Sequence, residues 1–257
     1  MKVIFSVFII NRCLYNVFVY IISSILLLFC YAQQAFALTF PVPYMGSTVG
    51  KPQTVMITPK QTITDIAIAY DIGVNELLKA NPGINAKNLS PGTPVIIPSF
   101  FKLPEGPRAG IVIDVDALRL FYYHVDENNK AVVSTYPVGV GRQGWSTPQG
   151  VTQIISKQKH PVWHPTNSIR REAIRAGHTL PVFIPAGPNS PLGQYAMHLG
   201  FTNILIHGTN HPESVGTRAS HGCIRMLAAD LKELFEQVPI GTVVTIKHTQ
   251  SEPMITE

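Results

Sequence analysis

Ile206-His207-Gly208-Thr209 and, ten residues on, Ser220-His221-Gly222-Cys223-Ile224-Arg225 gather two imidazoles, two glycines and a thiol within twenty residues. The apolar run Ile204-Leu205-Ile206 reads as a short strand, so His207 stands at a strand end. Fifteen residues, Gly208 to Gly222, separate His207 from Cys223, while His221 is only two positions before it. A thiol attacks as its thiolate, and an ordinary cysteine is little ionised at neutral pH. An imidazole that takes the proton supplies the thiolate, and as imidazolium it stabilises that charge. Gly208 and Gly222 flank the reactive groups, where a missing side chain lets backbone and substrate approach. Glycine at 222 also suits a tight turn whose amide N–H groups converge on a developing oxyanion.

The rest of the chain narrows what that thiol is for. Lys2 and Arg12 precede a mostly apolar run, Leu14 to Phe29, which leads to Ala35-Phe36-Ala37, a small-x-small pattern of the kind a leader peptidase cuts. Residues 1–37 are therefore expected to be a signal peptide and the remainder to be exported to the periplasm; an uncleaved anchor is the other reading of the same run. Cys13 and Cys30 leave with the leader, so Cys223 is the one cysteine of the mature chain and no internal disulfide is possible. A lone thiol in an oxidising compartment is a liability unless it has chemistry to do. Without the leader, eighteen basic residues face fifteen acidic ones. That mild excess suits an anionic envelope. No basic stripe with interleaved aromatics argues for nucleic acid.

Residues 38–52, rich in Pro and Gly, read as an extended linker. From 53 to 98 the pattern is strand, two helices, strand: Thr54 to Ile57 alternates, Thr64 can cap a helix through Ala67 and Tyr70, Gly73 breaks it, Val74 to Ala80 forms a second helix, and Val95 to Ile97 closes the unit. Pro104 and Pro107 mark a second linker, 99–107. From Arg108 the texture is β: Gly110–Val115, Leu118–Val125, Ala131–Val140, Val151–Ser156, Ile204–Ile206 and Thr242–Lys247 are β-branched or aromatic runs parted by turns. Helices are expected over Asn167–Ala176 and Leu227–Val238, and the stretch from Asn167 to Pro185 reads as a lid. Trp163 of Pro161-Val162-Trp163-His164-Pro165 reads first as a packed core residue; His198 and His211 read as structural or rim residues. The fold class is mostly β with minor helices over 108–248, behind a small βααβ module, with a polar tail at 249–257.

Two resemblances follow from these residues. Thr62-Ile63, Ile66-Ala67, Tyr70, Gly73-Val74, Glu76-Leu77-Leu78, Ala80 to Gly83, Leu89, Pro91-Gly92 and Ile96 to Pro98 resemble a LysM module, the peptidoglycan- and chitin-binding fold. Its usual first turn, Gly-Asp-Thr, is replaced here by Lys60-Gln61-Thr62. The His207-Gly208 and Ser220-His221-Gly222-Cys223 block closely resembles the YkuD-type signature of the L,D-transpeptidases. Gly139 to Gly141, Thr147 to Gly150, Pro188 to Gly193 and Val238 to Thr242 resemble other parts of that family, and the whole layout is similar to its periplasmic ErfK/YbiS group.

The family resemblance implies that Cys223 is the acylated nucleophile and His207 its general base and acid, with the Gly208 carbonyl orienting the imidazole. It implies that Ser220, His221 and Gly222 shape the oxyanion region, and that Arg225 and Thr209 contact substrate. The reaction implied is attack on the bond between an L-centre and D-Ala in a peptidoglycan stem tetrapeptide, with transfer of the acyl group to an amine of another stem or of an envelope lipoprotein. No cofactor or metal is implied, and a monomer is expected.

Three rivals share some of these features. A metal hydrolase could use His207, His211, His221 and Cys223 as ligands, although no HExxH helix is present. A non-catalytic wall-binding protein would rely on the 53–98 module alone. An L,D-carboxypeptidase would keep the thioester and give it to water.

Overall fold

The computed structural model describes residues 37–249. The expected leader up to Phe36 and the tail beyond Thr249 lie outside those residues. In chain order the strands are β1 (Leu38–Pro41), β2 (Thr48–Gly50), β3 (Gln53–Met56), β4 (Pro94–Ile97), β5 (Phe100–Lys102), β6 (Gly110–Asp114), β7 (Arg119–Val125), β8 (Ala131–Pro137), β9 (Val140–Gly141), β10 (Gly150–Lys159), β11 (Tyr195–Leu199), β12 (Leu205–His207), β13 (Arg218–Ser220), β14 (Ile224–Arg225) and β15 (Val243–Lys247). The helices are α1 (Ile63–Ala69), α2 (Val74–Ala80), α3 (Asn167–Arg175) and α4 (Ala228–Gln237).

A nine-stranded sheet, ordered β1-β8-β7-β6-β15-β10-β11-β12-β14, organises the molecule. Strands β6, β7 and β8 are buried almost throughout rather than on alternate residues. The cause is that both faces are covered. Side chains alternate along a strand, so Ile111, Ile113, Leu120, Tyr122 and Tyr136 enter one core, while Val112, Phe121, Tyr123 and Val133 enter another. Helix α4 closes the first core with Leu231, Leu234 and Phe235, the Phe235 ring lying 4.9 Å from that of Tyr195 on β11.

The second core belongs equally to the N-terminal module, whose Ile63, Ile66, Leu77, Val95 and Ile97 pack on the outer face of the sheet. The module is βααβ as expected, with β3 and β4 antiparallel. Its first helix starts at Ile63, because Thr62 rather than Thr64 caps it: the Thr62 hydroxyl accepts from the Asp65 amide and the Asp65 carboxylate accepts from the Thr62 amide. Buried Asn81 fastens the helix pair to β4, its amide giving to the Leu77 and Ile96 carbonyls at 2.8 and 2.7 Å and accepting from the Ile96 N–H.

The two expected linkers are structured. Leu38–Pro41 pairs with β8 as an edge strand of the large sheet, and Thr48–Gly50 pairs with Phe100–Lys102. Phe101 and Leu103 are buried. The apolar residues between the prolines had sheet and core to join, which outweighed the turn chemistry around them. Arg119 crosses this junction almost without exposure: it donates to the Asp71 carbonyl at 3.1 Å and the Glu76 carboxylate at 3.0 Å, and its guanidinium lies over the Phe101 ring. Gly73, ahead of α2, abuts Gly216 in the loop leading to β13. A Cβ on Gly216, at φ +76°, would stand 2.4 Å from the Gly73 Cα. Backbone thus meets backbone between the module and the segment that joins His207 to Cys223.

Candidate active site

β12 and β14 are parallel, with Ile206 beside Ile224 and His207 beside Arg225, which sets Leu205 beside Cys223 one step back. Because side chains alternate, His207, Arg225, Leu205 and Cys223 share one face. All four line a cleft of about 760 Å³. The ladder separates the backbones of His207 and Cys223 by one strand spacing, about 4.8 Å, and two residues of rise, about 6.6 Å. Elements 16 residues apart in sequence are neighbours because β12 and β14 pair side by side after the loop between them returns.

His207 is 5% exposed, and its Nδ1 lies 2.5 Å from the Gly208 carbonyl. A carbonyl only accepts, so Nδ1 carries the hydrogen and Nε2 is left as a base. Burial lowers its pKa to about 4, with the Arg225 cation adding to the effect against the Gly208 bond. Close approach around it depends on Gly193: a Cβ there, at φ +66°, would meet the Gly208 Cα at 2.9 Å.

Cys223 donates its S–H to the Asn203 carbonyl at 3.4 Å. Burial raises its pKa, opposed by the Leu205 backbone and by Arg225. The resting pair is therefore a neutral thiol beside a neutral imidazole. That differs from the thiolate–imidazolium pair expected from sequence, because a cleft this dry disfavours both charges.

The turn before the thiol is built by side chain and backbone together. Ser220 Oγ donates to the Cys223 carbonyl at 2.5 Å and accepts the Gly222 N–H at 3.1 Å. Gly222 has φ +107°, so glycine is required there. Its N–H, expected to help shape the oxyanion region, donates here to Ser220. Thr147 ties the Gly222 carbonyl to the Gly141 N–H through bonds of 2.9 Å each.

His221 lines the cleft with its Nε2 3.0 Å from Glu172 of α3, and Arg142 holds the same carboxylate. Burial lowers the His221 pKa, with Arg142 adding to it and Glu172 opposing. The Glu172 carboxyl stays below its ordinary range, since Arg142 and His221 outweigh the effect of burial. Trp145 presents its ring to His221 edge-on at 4.7 Å. The helix expected in the proposed lid segment is α3, none of whose residues is buried, and Thr166, Ser168 and Ile169 border the cleft.

Other expectations divide. Trp163 lines the cleft half-buried instead of packing in the core, because its backbone pairs with Ile184 at the rim. Thr209 is not among the cleft residues, and its hydroxyl accepts from the His211 amide at 2.9 Å. His211 is exposed and paired with Glu213, whereas His198 lines the cleft. Arg225 borders the cleft, and its buried Nε has no partner among the described residues. Glu172, Arg142 and Asn203 were invisible to sequence reasoning, since isolated polar residues in loops and an exposed helix carry no periodic signal.

Residues 108–246 match the family model described as the L,D-transpeptidase catalytic domain, and residues 55–98 match that of the LysM domain. A probable L,D-transpeptidase ErfK/SrfK of Escherichia coli (strain K12) is 40% identical over 230 residues, covering 88% of this chain and 73% of that one. A probable L,D-transpeptidase YbiS of the same strain is 38% identical over 218 residues, covering 83% and 70%. Among solved structures, an L,D-transpeptidase of Enterococcus faecium is 23% identical with a TM-score of 0.39, covering 54% of this chain and 49%, about half, of that one. The chain belongs to the L,D-transpeptidase family defined by the YkuD catalytic domain, and carries a LysM domain ahead of it.

Proposed function

We propose that the protein is an exported, periplasmic L,D-transpeptidase in which Cys223 carries the acyl group of a peptidoglycan stem tetrapeptide and His207 moves the protons. The supporting observation is the bare Nε2 of a buried, neutral His207 on the same cleft face as Cys223. Nε2 accepts the thiol proton as sulfur attacks the carbonyl of the bond before D-Ala. The tetrahedral intermediate collapses, the C–N bond breaks, and the imidazolium returns the proton to the leaving D-Ala amine. In the second half an acceptor amine attacks the thioester, gives its proton to Nε2, and sulfur leaves as the thiol. The acceptor is an amine of a second stem or a lysine of an envelope lipoprotein, and the LysM domain holds the enzyme on peptidoglycan.

Arg225 lines the cleft with a buried Nε that has no partner among the described residues, which suits a substrate carbonyl or carboxylate. Ser220 holds the turn before the thiol and His221 ties it to α3. The test is incubation of the chain from Leu38 onward with purified disaccharide tetrapeptide, analysed by mass spectrometry. Cross-linked dimer and free D-Ala are expected from the wild type and neither from Cys223→Ala. Tripeptide without dimer would replace transpeptidation by hydrolysis, and no turnover with any acceptor would overturn the reading.

A further inference from the structure

Asp71, at the end of α1 in the LysM domain, and Asp230, on α4 of the catalytic domain, are 2% and 1% exposed. Oδ1 of Asp71 and Oδ2 of Asp230 have no hydrogen-bond partner among the described residues. Glu233, one turn along α4, adds a third carboxylate. Among the described residues the cation close by is Arg119, which spends its NH2 on the Asp71 carbonyl and on Glu76 and its NH1 on Thr135. Tyr136 of β8 donates to Glu233 at 3.4 Å, and Gln237 does so at 3.3 Å. Buried carboxylates without a cation are expensive, and a pair in contact is driven to share a proton. Burial raises Asp71 to about 6 and raises Asp230 as well, with the Arg119 cation opposing at both and the neighbouring carboxylates adding to the rise at Asp230.

What faces this cluster is the start of the mature chain. The Leu38 N–H points at Asp71 Oδ2 from 3.4 Å, and the Ala37 N–H points at Glu233 Oε2 from 3.2 Å. Leu38 cannot drift, because β1 registers it opposite Thr135 in the large sheet. The Ala35-Phe36-Ala37 pattern puts the cut between Ala37 and Leu38. Water adds across that peptide bond: the Ala37 carboxylate leaves with the leader, and Leu38 keeps a nitrogen that is an ammonium at neutral pH.

We propose that leader removal after Ala37 creates, at Leu38, an α-ammonium that docks against buried Asp71 and Asp230 and half-buried Glu233, so that processing adds a second cation to Arg119 at the LysM–catalytic junction. The proposal rests on the export reading above. One N–H becomes three donors, enough for Asp71 Oδ2, an orphaned oxygen of the aspartate pair, and Glu233, which loses the Ala37 amide at the same cut. Glu76 and Arg119 remain paired, and Tyr136 keeps its bond to Glu233. A leader-bearing chain holds its aspartates by a shared proton; the mature chain holds them by an ion pair that ties three elements, β1, α1 and α4, together.

The test compares three chains otherwise identical: one starting with a free Leu38 amine, one with that amine acetylated, and one retaining Ala37 with the Ala37 amine acetylated. The α-amine pKa, followed by ¹⁵N chemical shift on labelled leucine, is expected at least one unit above the ordinary N-terminal range of about 7.7–8.0. The free-amine chain should melt higher than the other two at pH 7. A raised amine pKa stabilises below its unfolded value and is lost as pH climbs through the folded one; at the acid end the advantage vanishes once the carboxylates are protonated. Asp71→Asn, which keeps the shape and removes the carboxylate nearest the Leu38 nitrogen, should lower the amine pKa toward its ordinary range in a folded chain. An ordinary amine pKa with equal melting of all three chains overturns the docking. N-terminal sequencing of the exported protein is a separate readout: a first residue other than Leu38 overturns the processing site whatever the titration shows.

Discussion

Burial does opposite things to the two groups in the cleft, stripping His207 of its proton and keeping Cys223 in possession of its own. On the proposed mechanism the nucleophile is then generated during attack rather than stored beforehand, and Arg225 disfavours imidazolium and favours thiolate. This has a kinetic signature. The acid limb of kcat/KM for acylation should fall near pH 4, where His207 gains its proton, and not near the ordinary histidine value of about 6.5. A limb at 6.5 or above would mean that the imidazole is solvated or already paired with a thiolate. The thiol, the strand-end imidazole and their glycines were legible in the sequence because each sits in one compact motif. The proton inventory was not, since it depends on how dry the folded cleft is. The inward turn of the Gly222 N–H was not legible either, being decided by the Ser220 rotamer.

Helix α3 touches the motif through one carboxylate, Glu172, shared by Arg142 and His221. Nothing on α3 is fully buried, and this contact ties it to the wall of the cleft. Glu172→Gln should speed amide hydrogen exchange through residues 161–185 while changing global stability by less than about 1 kcal/mol, as for other exposed ion pairs. Unchanged exchange would show that the lid is held by its own loop, where Arg170 caps the Leu180 and Val182 carbonyls. Long β-branched runs announced β6, β7, β8 and β15, and amphipathic spacing announced α4. Strand β11 was missed although Ala196 and Met197 are fully buried, because Tyr-Ala-Met-His-Leu has no β-branched residue and no alternation. Strands β9, β13 and β14 are too short to carry a pattern; long-range pairing alone makes them strands.

At the scale of the molecule, the LysM domain and the catalytic sheet share a core, and the segments expected to be linkers supply its edge strands. The two should therefore unfold together. Urea denaturation followed by tryptophan fluorescence, which reports on Trp145 and Trp163 in the catalytic domain, and by far-UV circular dichroism should give coincident transitions. Phe121→Ala, which removes a ring 1% exposed between them, should lower stability by about 3–5 kcal/mol without separating the two. Two resolved transitions in the wild type would show independent domains. The LysM domain packs on the catalytic sheet through that shared core, and on the proposed mechanism this sets the attitude of the cleft to whatever the LysM domain grips. The most direct test is therefore the intact mass of the enzyme mixed rapidly with disaccharide tetrapeptide and no acceptor. The expected result is one adduct of donor less D-Ala, mapped to Cys223, formed about 10²–10⁴-fold more slowly in His207→Ala and absent in Cys223→Ala. An adduct on another residue, or D-Ala release that survives Cys223→Ala, would contradict the account.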